Sequence, residues 1–306
     1  MDIGVWMGNN TVGTPAYMGS LATASEDAGF DSLWVSDHVV WPRDYEPVYP
    51  YGEGGRYPGD ENTPLCEAVT SLAWLSARTE RVRLGTCVLV AAQREPWLLA
   101  KQLASLDQLN GGRTTIGVGL GWMREEFEVL GASFDDRSAR TREMVELLRA
   151  AWTTQPVTFD GAYWQGGPLG VLPHPVQQPI PILLGGNAPS ALRKVADYAD
   201  GWCPYGLDVG EFAQGLASIR ARAEAQGRDP SAFRTVLWAP LLLADTDQPM
   251  VPLHGNAAFL TERLGAYAEA GLDEFVMFNL ATPDKIVAQI EDFAGSVLPA
   301  AHAASR

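Results

Sequence analysis

Cysteine is scarce in this chain. Cys66, Cys87 and Cys203 are the three in 306 residues, widely spaced and without a C-x-x-C pair. That excludes a disulfide framework or a zinc finger. Charged residues make up only 19% of the sequence while hydrophobic ones make up 46%, which excludes a disordered or coiled-coil protein and leaves ample material for a large core. Basic residues are outnumbered 22 to 37, giving a net charge of −15. Such a surface offers no electrostatic attraction to a phosphate backbone, so no nucleic-acid partner is expected. The longest apolar runs, Cys87–Ala92 and Pro240–Ala244, fall far short of the ~20 residues of a membrane span. No membrane partner is expected either. The first residues, Met1-Asp2-Ile3-Gly4, lack a basic region followed by an apolar stretch, and a cytoplasmic protein is the expectation. Histidine is rare too. His38, His174, His254 and His302 form no H-x-H or H-E-x-x-H, and there is no G-x-S-x-G, so neither a metal-dependent hydrolase nor a serine hydrolase is supported and no metal site is expected.

What the chain does have is rhythm. A short apolar run, a Gly/Pro/Asn/Asp punctuation and a helical stretch recur from end to end. Strands are expected at Ile3–Met7, Ser32–Ser36, Arg83–Val90, Thr114–Gly119, Pro181–Leu184, Gly201–Pro204, Thr235–Ala244 and Glu274–Asn279. Thr14-Pro15, Thr63-Pro64 and Thr282-Pro283 each place a capping hydroxyl before a proline that needs no amide hydrogen, and Glu95-Pro96 and Ala188-Pro189 put proline in a similar place. Gly29 and Gly271 stand where left-handed C-terminal caps would hand a helix over to the next strand. Alternating strand and helix implies a parallel sheet. Eight units favour an α/β fold closed into a (β/α)8 TIM barrel, with an open doubly wound sheet as the alternative. Two stretches break the rhythm: an aromatic, Gly- and Pro-rich loop at about 41–62, after strand two, and an insertion with hairpin character at about 156–178, before strand five. No low-complexity linker divides residues 1–306, so one domain is expected.

A barrel gathers its reacting groups at the carboxyl ends of its strands. Strand two ends in Ser36-Asp37-His38, where a carboxylate beside an imidazole can orient a ring nitrogen; the alternative is a surface aspartate and a histidine buried under the loop. Strand four ends in Gly117-Val118-Gly119-Leu120-Gly121-Trp122. These alternate glycines either let a flat ring or a phosphate approach the backbone or simply form a tight turn. Strand five leads into Gly185-Gly186-Asn187-Ala188-Pro189-Ser190 at a helix start, with Arg193 and Lys194 one turn on, an anion cradle or an ordinary loop. Cys87, inside an apolar strand, reads as a small core residue rather than a reactive thiol.

Together these segments resemble the bacterial luciferase-like monooxygenase superfamily, most closely its coenzyme F420-dependent oxidoreductase branch. The resemblance rests on Gly29 to His38, Val82 to Val88, Gly117 to Trp122 with Glu125-Glu126-Phe127, Arg140-Thr141-Arg142-Glu143, and Pro181 to Asn187, in family order. It implies a TIM barrel carrying a deazaflavin, coenzyme F420, or alternatively FMN, at the carboxyl ends of the strands. His38 then matches the family's acid/base or orienting group, with Asp37 beside it. The matching bond for a non-proline cis peptide behind the ring is Cys87–Val88, with Gly119 and Gly121 nearby. Gly185 and Gly186 match the glycines that receive the cofactor phosphate, with Asn187 and Ser190 following.

The function implied is hydride transfer between the deazaflavin and a small organic substrate. The alternatives are an FMN-dependent monooxygenase and a cofactor-binding protein without turnover. The family also implies a homodimer. In one branch an acidic residue follows the strand-four glycines; Trp122 stands there instead, so that branch's sugar-phosphate substrate is not carried over. Trp6, Trp41 and Trp122, with the loop tyrosines, point to an apolar or aromatic substrate pocket, unless the loop rings only support one another.

Overall fold

The structure is a computed structural model that describes residues 1–8, 14–246, 253–279 and 281–304. Its strands are β1 (Asp2–Trp6), β2 (Ser32–Val35), β3 (Arg83–Val90), β4 (Thr114–Gly119), β5 (Val157–Asp160), β6 (Gln165–Leu169), β7 (Ile182–Gly185), β8 (Gly201–Cys203), β9 (Arg234–Leu243), β10 (His254–Gly255) and β11 (Glu274–Asn279). Its helices are α1 (Pro15–Asp27), α2 (Ala68–Ser76), α3 (Pro96–Leu109), α4 (Arg124–Val129), α5 (Arg137–Thr153), α6 (Pro189–Tyr198), α7 (Val209–Ala225), α8 (Ala257–Glu269), α9 (Ile286–Ser296) and α10 (Leu298–Ala303).

Eight parallel strands close on themselves in the order β1-β2-β3-β4-β7-β8-β9-β11 and back to β1. The closed (β/α)8 barrel expected from the rhythm is therefore the fold, and the open sheet is not. The expected strands lie within a residue or so of those observed. Gly29 and Gly271 have φ of +89° and +95°, the left-handed conformation their places demanded. The insertion contains an antiparallel hairpin, β5–β6, whose turn is held by the Glu143 carboxylate accepting the amides of Ala162, Tyr163 and Trp164.

Two expected helix starts differ. Residues Thr63-Pro64 stay in the loop, where the Thr63 hydroxyl accepts the Asp60 amide. α2 begins only at Ala68, capped by Glu67, which accepts the Thr70 amide. Thr282-Pro283 opens a turn, with the Lys285 amide on the Thr282 carbonyl, and α9 starts at Ile286. At α2 a second cap candidate, closer to the helix, takes precedence; α9 begins after Lys285 without a side-chain cap.

Alternation along each strand sorts side chains between two compartments. Ile3, Val5, Leu33, Val35 and Leu84 face the helices and join the main core. Gly4, Trp6, Trp34, Cys87, Val236 and Val276 face the barrel interior. At the amino-terminal end of that interior lies Glu274, fully buried. It accepts bonds from Ser32, from the Trp34 indole at 2.9 Å, and from Arg83 and Arg234 at 3.2 and 2.6 Å. Both arginines also reach Asp2. Removing the carboxylate leaves two guanidiniums and an indole facing a gap. Because the arginines are about one-third exposed and can rehydrate, Glu274→Ala is expected to cost about 2–3 kcal/mol, below the range of a fully buried pair. Urea unfolding would measure it.

Candidate active site

At the opposite end, where the strands terminate, the barrel opens into a cavity of about 1290 Å3. Its floor is the top of the barrel interior. Trp6 and Phe278 meet edge to face at 4.4 Å, and the Trp6 indole donates to Ser36 at 2.7 Å. Cys87 and Cys203 also line the floor, and burial pushes both thiols well above their ordinary pKa, so they stay protonated.

The Cys87–Val88 peptide is cis. Around it β3 shifts register against β4 between Thr86 and Leu89. This bulge explains the glycines. A Cβ on Gly117 would strike the Thr86 carbonyl, one on Gly119 would strike the Val88 side chain, and one on Gly185 would approach Val88 Cγ1 to 2.9 Å. Gly121 combines a φ of +79° with Phe127 and Val90 at its back. The glycine run thus fits a bulged neighbouring strand first. It borders the cavity because Val88, wedged between Gly119 and Gly185, faces into it.

Asp37 and His38, neighbours in sequence, part company in space. Asp37 is buried and its carboxylate is fully engaged: Oδ1 and Oδ2 take the Arg94 guanidinium at 2.7 and 2.8 Å, and Oδ2 also takes the Val90 amide at 2.9 Å. Arg94 reaches Glu67 as well, tying the end of β2 to the start of α2. The imidazole of His38 pairs instead with Glu126 on α4, Nδ1 to Oε2 at 2.9 Å. The other oxygen of Glu126 takes the amides of Val39 and Val40. Burial alone would raise this carboxyl, but the bonds from His38 and the Val39 amide outweigh it and hold Glu126 below the ordinary glutamate value. Sequence reasoning quoted Glu126 within a motif and gave it no role. Nothing local distinguishes it from Glu125, whose carboxylate goes to the Glu46 amide near the surface.

The turn at 185–190 faces the same cavity. Gly186 has φ +103°, and Ala188 caps α6 with no side chain to take the first amides of the helix. Ser190 lines the cavity beside them. The Asn187 side chain does not point its amide at the cavity unused, for it bonds the Tyr205 backbone in both directions, at 2.7 and 3.2 Å. Arg137, which nothing in the sequence singles out, also lines the cavity. Its guanidinium donates to the carbonyls of Gly121 and Phe134 and lies 3.7 Å over the Phe134 ring. Among the described residues it forms no ion pair with a carboxylate, yet it lines the cavity. Burial and nearby Arg124 lower its pKa, and Arg193 and Arg137 likewise help lower that of Lys194. Arg193 and Lys194 themselves do not line the cavity, whereas Arg137 and Arg56 do.

The long loop supplies the wall of rings. Tyr49, Tyr51, Tyr57 and Trp122 border the cavity and also touch one another, Tyr49 lying 5.1 Å from Trp122 and 5.0 Å from Tyr57. Tyr51 meets Tyr205 at 4.7 Å, which in turn meets Trp238 at 4.4 Å. These rings therefore pack against one another and border the cavity as well. Trp41 and Tyr45 do not line it: Trp41 stands 4.6 Å from His38 and Tyr45 5.4 Å from Trp122. Burial pushes the Tyr51 hydroxyl up to about 12 and Tyr49 higher, so this wall stays neutral. Among the described residues there is no cluster of His, Cys, Asp and Glu that could hold a metal, and no helix long and apolar enough to cross a membrane.

Fold and cavity together define a (β/α)8-barrel enzyme with its polar chemistry gathered at the carboxyl ends of the strands. Over residues 1–297 the sequence matches the luciferase-like monooxygenase family, and the chain belongs to that family of oxidoreductases. An uncharacterized protein of Mycobacterium tuberculosis is 33% identical over 275 residues, covering 89% of this chain and 88% of its own. An F420-dependent glucose-6-phosphate dehydrogenase of Amycolatopsis mediterranei is 29% identical over 303 residues, covering 89% of this chain and 83% of that one. Among solved structures, an F420-dependent secondary alcohol dehydrogenase in complex with an F420–acetone adduct superposes with a TM-score of 0.79, covering 98% of both chains at 21% identity. At that identity the likeness speaks for the fold.

Proposed function

We propose that this protein is an F420-dependent oxidoreductase that moves a hydride between the deazaflavin coenzyme and a small apolar or aromatic organic substrate. One observation carries the reading: His38, the Val88 bulge and the 185–190 turn with Arg137 border a single cavity. The F420-dependent relative supports the choice of coenzyme.

The residues present fit such a group. Val88 offers an apolar edge for a flat ring. The Ser190 amide and hydroxyl, at the start of α6, and Arg137 offer donors and charge for an anionic tail. When bound, the coenzyme supplies a carbon centre that accepts or gives a hydride. His38 then manages the proton: its cavity-facing nitrogen takes one from a hydroxyl as the carbon's hydride leaves, or returns one to a carbonyl in the reverse direction. The neutral aromatic wall excludes water and lowers the local dielectric. It also disfavours a phosphorylated sugar. Glu125 is turned to the surface loop and Glu126 to His38, so neither carboxylate replaces the acidic residue missing at Trp122.

Titrating the purified protein with F420 and with FMN, and following fluorescence quenching, tests the reading. F420 is expected to bind and FMN to bind far more weakly; tight binding of FMN alone overturns the choice of coenzyme. Arg137→Ala is expected to weaken F420 binding about 10- to 100-fold, the worth of charge-assisted hydrogen bonds to an anion. Unchanged affinity would place the anion elsewhere. Loss of reduced-coenzyme absorbance with a panel of enones, ketones and alcohols then separates an enzyme from a binding protein without turnover.

A further inference from the structure

We infer that Glu126 is a positioning residue that fixes the tautomer of His38, keeping the proton on Nδ1 and presenting Nε2 to the cavity as a proton acceptor. The inference rests on the proposed role of His38, but its physical content is independent of any reaction.

The chemistry follows from what a carboxylate can do. An ionised carboxylate only accepts hydrogen bonds, so the nitrogen 2.9 Å from Glu126 Oε2 must carry a hydrogen. The neutral ring is then the Nδ1–H form, although free histidine favours the proton on Nε2. The remaining nitrogen, on the opposite edge of the ring, has its lone pair available. Glu126 is nearly fully buried, and its other oxygen is tied to the amides of Val39 at 2.7 Å and Val40 at 3.3 Å. The carboxylate therefore cannot swing away. Those same bonds anchor the chain just beyond His38, so one side chain sets both the place and the protonation of the ring.

The other surroundings of His38 leave that control to Glu126. Trp41, Tyr57 and Trp122 meet the ring at 4.6, 5.7 and 5.8 Å and carry no charge. Asp37, the adjacent carboxylate, is neutralised by Arg94. When Nε2 takes a proton, the imidazolium formed is compensated by the Glu126 carboxylate through the bond already in place.

Glutamine at this position reverses the logic with almost no change of shape. Its carbonyl can keep the Val39 and Val40 amides, and its NH2 must then face His38. A donor there requires a bare Nδ1 and moves the ring proton to Nε2. The opposite amide orientation would set the NH2 against the Val39 N–H, donor against donor. The experiment is nitrogen-15 NMR of the full-length protein labelled at histidine, with the His38 signals identified by their loss in His38→Asn.

In the wild-type protein near pH 8, Nδ1 is expected protonated and Nε2 bare. In Glu126→Gln the two are expected to exchange. The melting midpoint and the F420 affinity of the variant should stay close to wild type. A wild-type ring protonated on Nε2 overturns the inference even if the variant does not fold. An unchanged tautomer in a folded Glu126→Gln overturns it as well. Full turnover by His38→Asn, with the tautomer result as expected, would instead remove the catalytic role of His38 and leave its pairing with Glu126 standing.

Discussion

Replacing His38 with asparagine is expected to lower turnover about 10^2- to 10^4-fold while leaving F420 affinity within about two-fold of wild type, the range by which a positioned acid or base accelerates proton transfer. The reason for the split is that different groups serve the two tasks. His38 borders the cavity, and the donors suited to an anionic coenzyme tail are other side chains and amides, those of the 185–190 turn and Arg137. Asparagine fills much of the same volume and can still accept or donate locally, so the Trp41, Tyr57 and Trp122 rings around it keep their support. Stopped-flow measurement of reduced-coenzyme absorbance against the most active ketone of the panel gives the rate, and fluorescence quenching gives the affinity. A His38→Asn protein with undiminished turnover would require the proton to be handled by another group.

The neighbouring residue is expected to behave in the opposite way. Asp37→Asn should destabilise the fold by about 3 kcal/mol or more, measured as a lower urea midpoint, because it breaks a buried, bidentate ion pair. The loss sits at the lower end of the usual 3–5 kcal/mol, since Arg94 retains Glu67 at 3.1 Å. The asparagine NH2 would face a guanidinium, and the Val90 amide at the end of β3 would lose its acceptor or share a weaker one. Replacing both charges, as Asp37→Leu with Arg94→Leu, is expected to recover part of the stability, because the carboxylate that then loses Arg94, Glu67, is partly exposed and can be hydrated. An unchanged midpoint in the single variant would show that Asp37 is not the brace its bonds describe. Adjacent positions with separate partners are thus expected to answer to separate measurements, turnover for His38 and stability for Asp37.

The barrel was legible because each of its strands is written locally. Apolar runs such as Thr114–Gly119 and Glu274–Asn279 announce strands on their own, and Gly29 and Gly271 announce where helices must stop. The cavity was legible at Trp6, His38, Gly119, Gly185 and Ser190 because a barrel brings strand ends together whatever the loops do. Legibility failed where one position offered two local solutions. Thr63 and Glu67 can both cap a helix, and only the salt bridge from Arg94 and the turn at Asp60 show which one does.

The sequence by itself determined the alternation of strand and helix, the number of units, the places of the two interruptions and the gathering of chemistry at strand ends. These follow from apolar periodicity, turn residues and chain reach, all of which act over a few residues. The tertiary structure alone decided the partners. Asp37 chose an arginine 57 residues away, and His38 chose a glutamate 88 residues away, over each other. The glycines of β4 proved to be shaped by the bulge of β3, and Arg137 emerged as a charge lining the cavity with no ion pair to a carboxylate among the described residues. Pairings of this kind depend on which buried group finds a compensating one once the ring of strands has closed, and distance along the chain places no constraint on that choice.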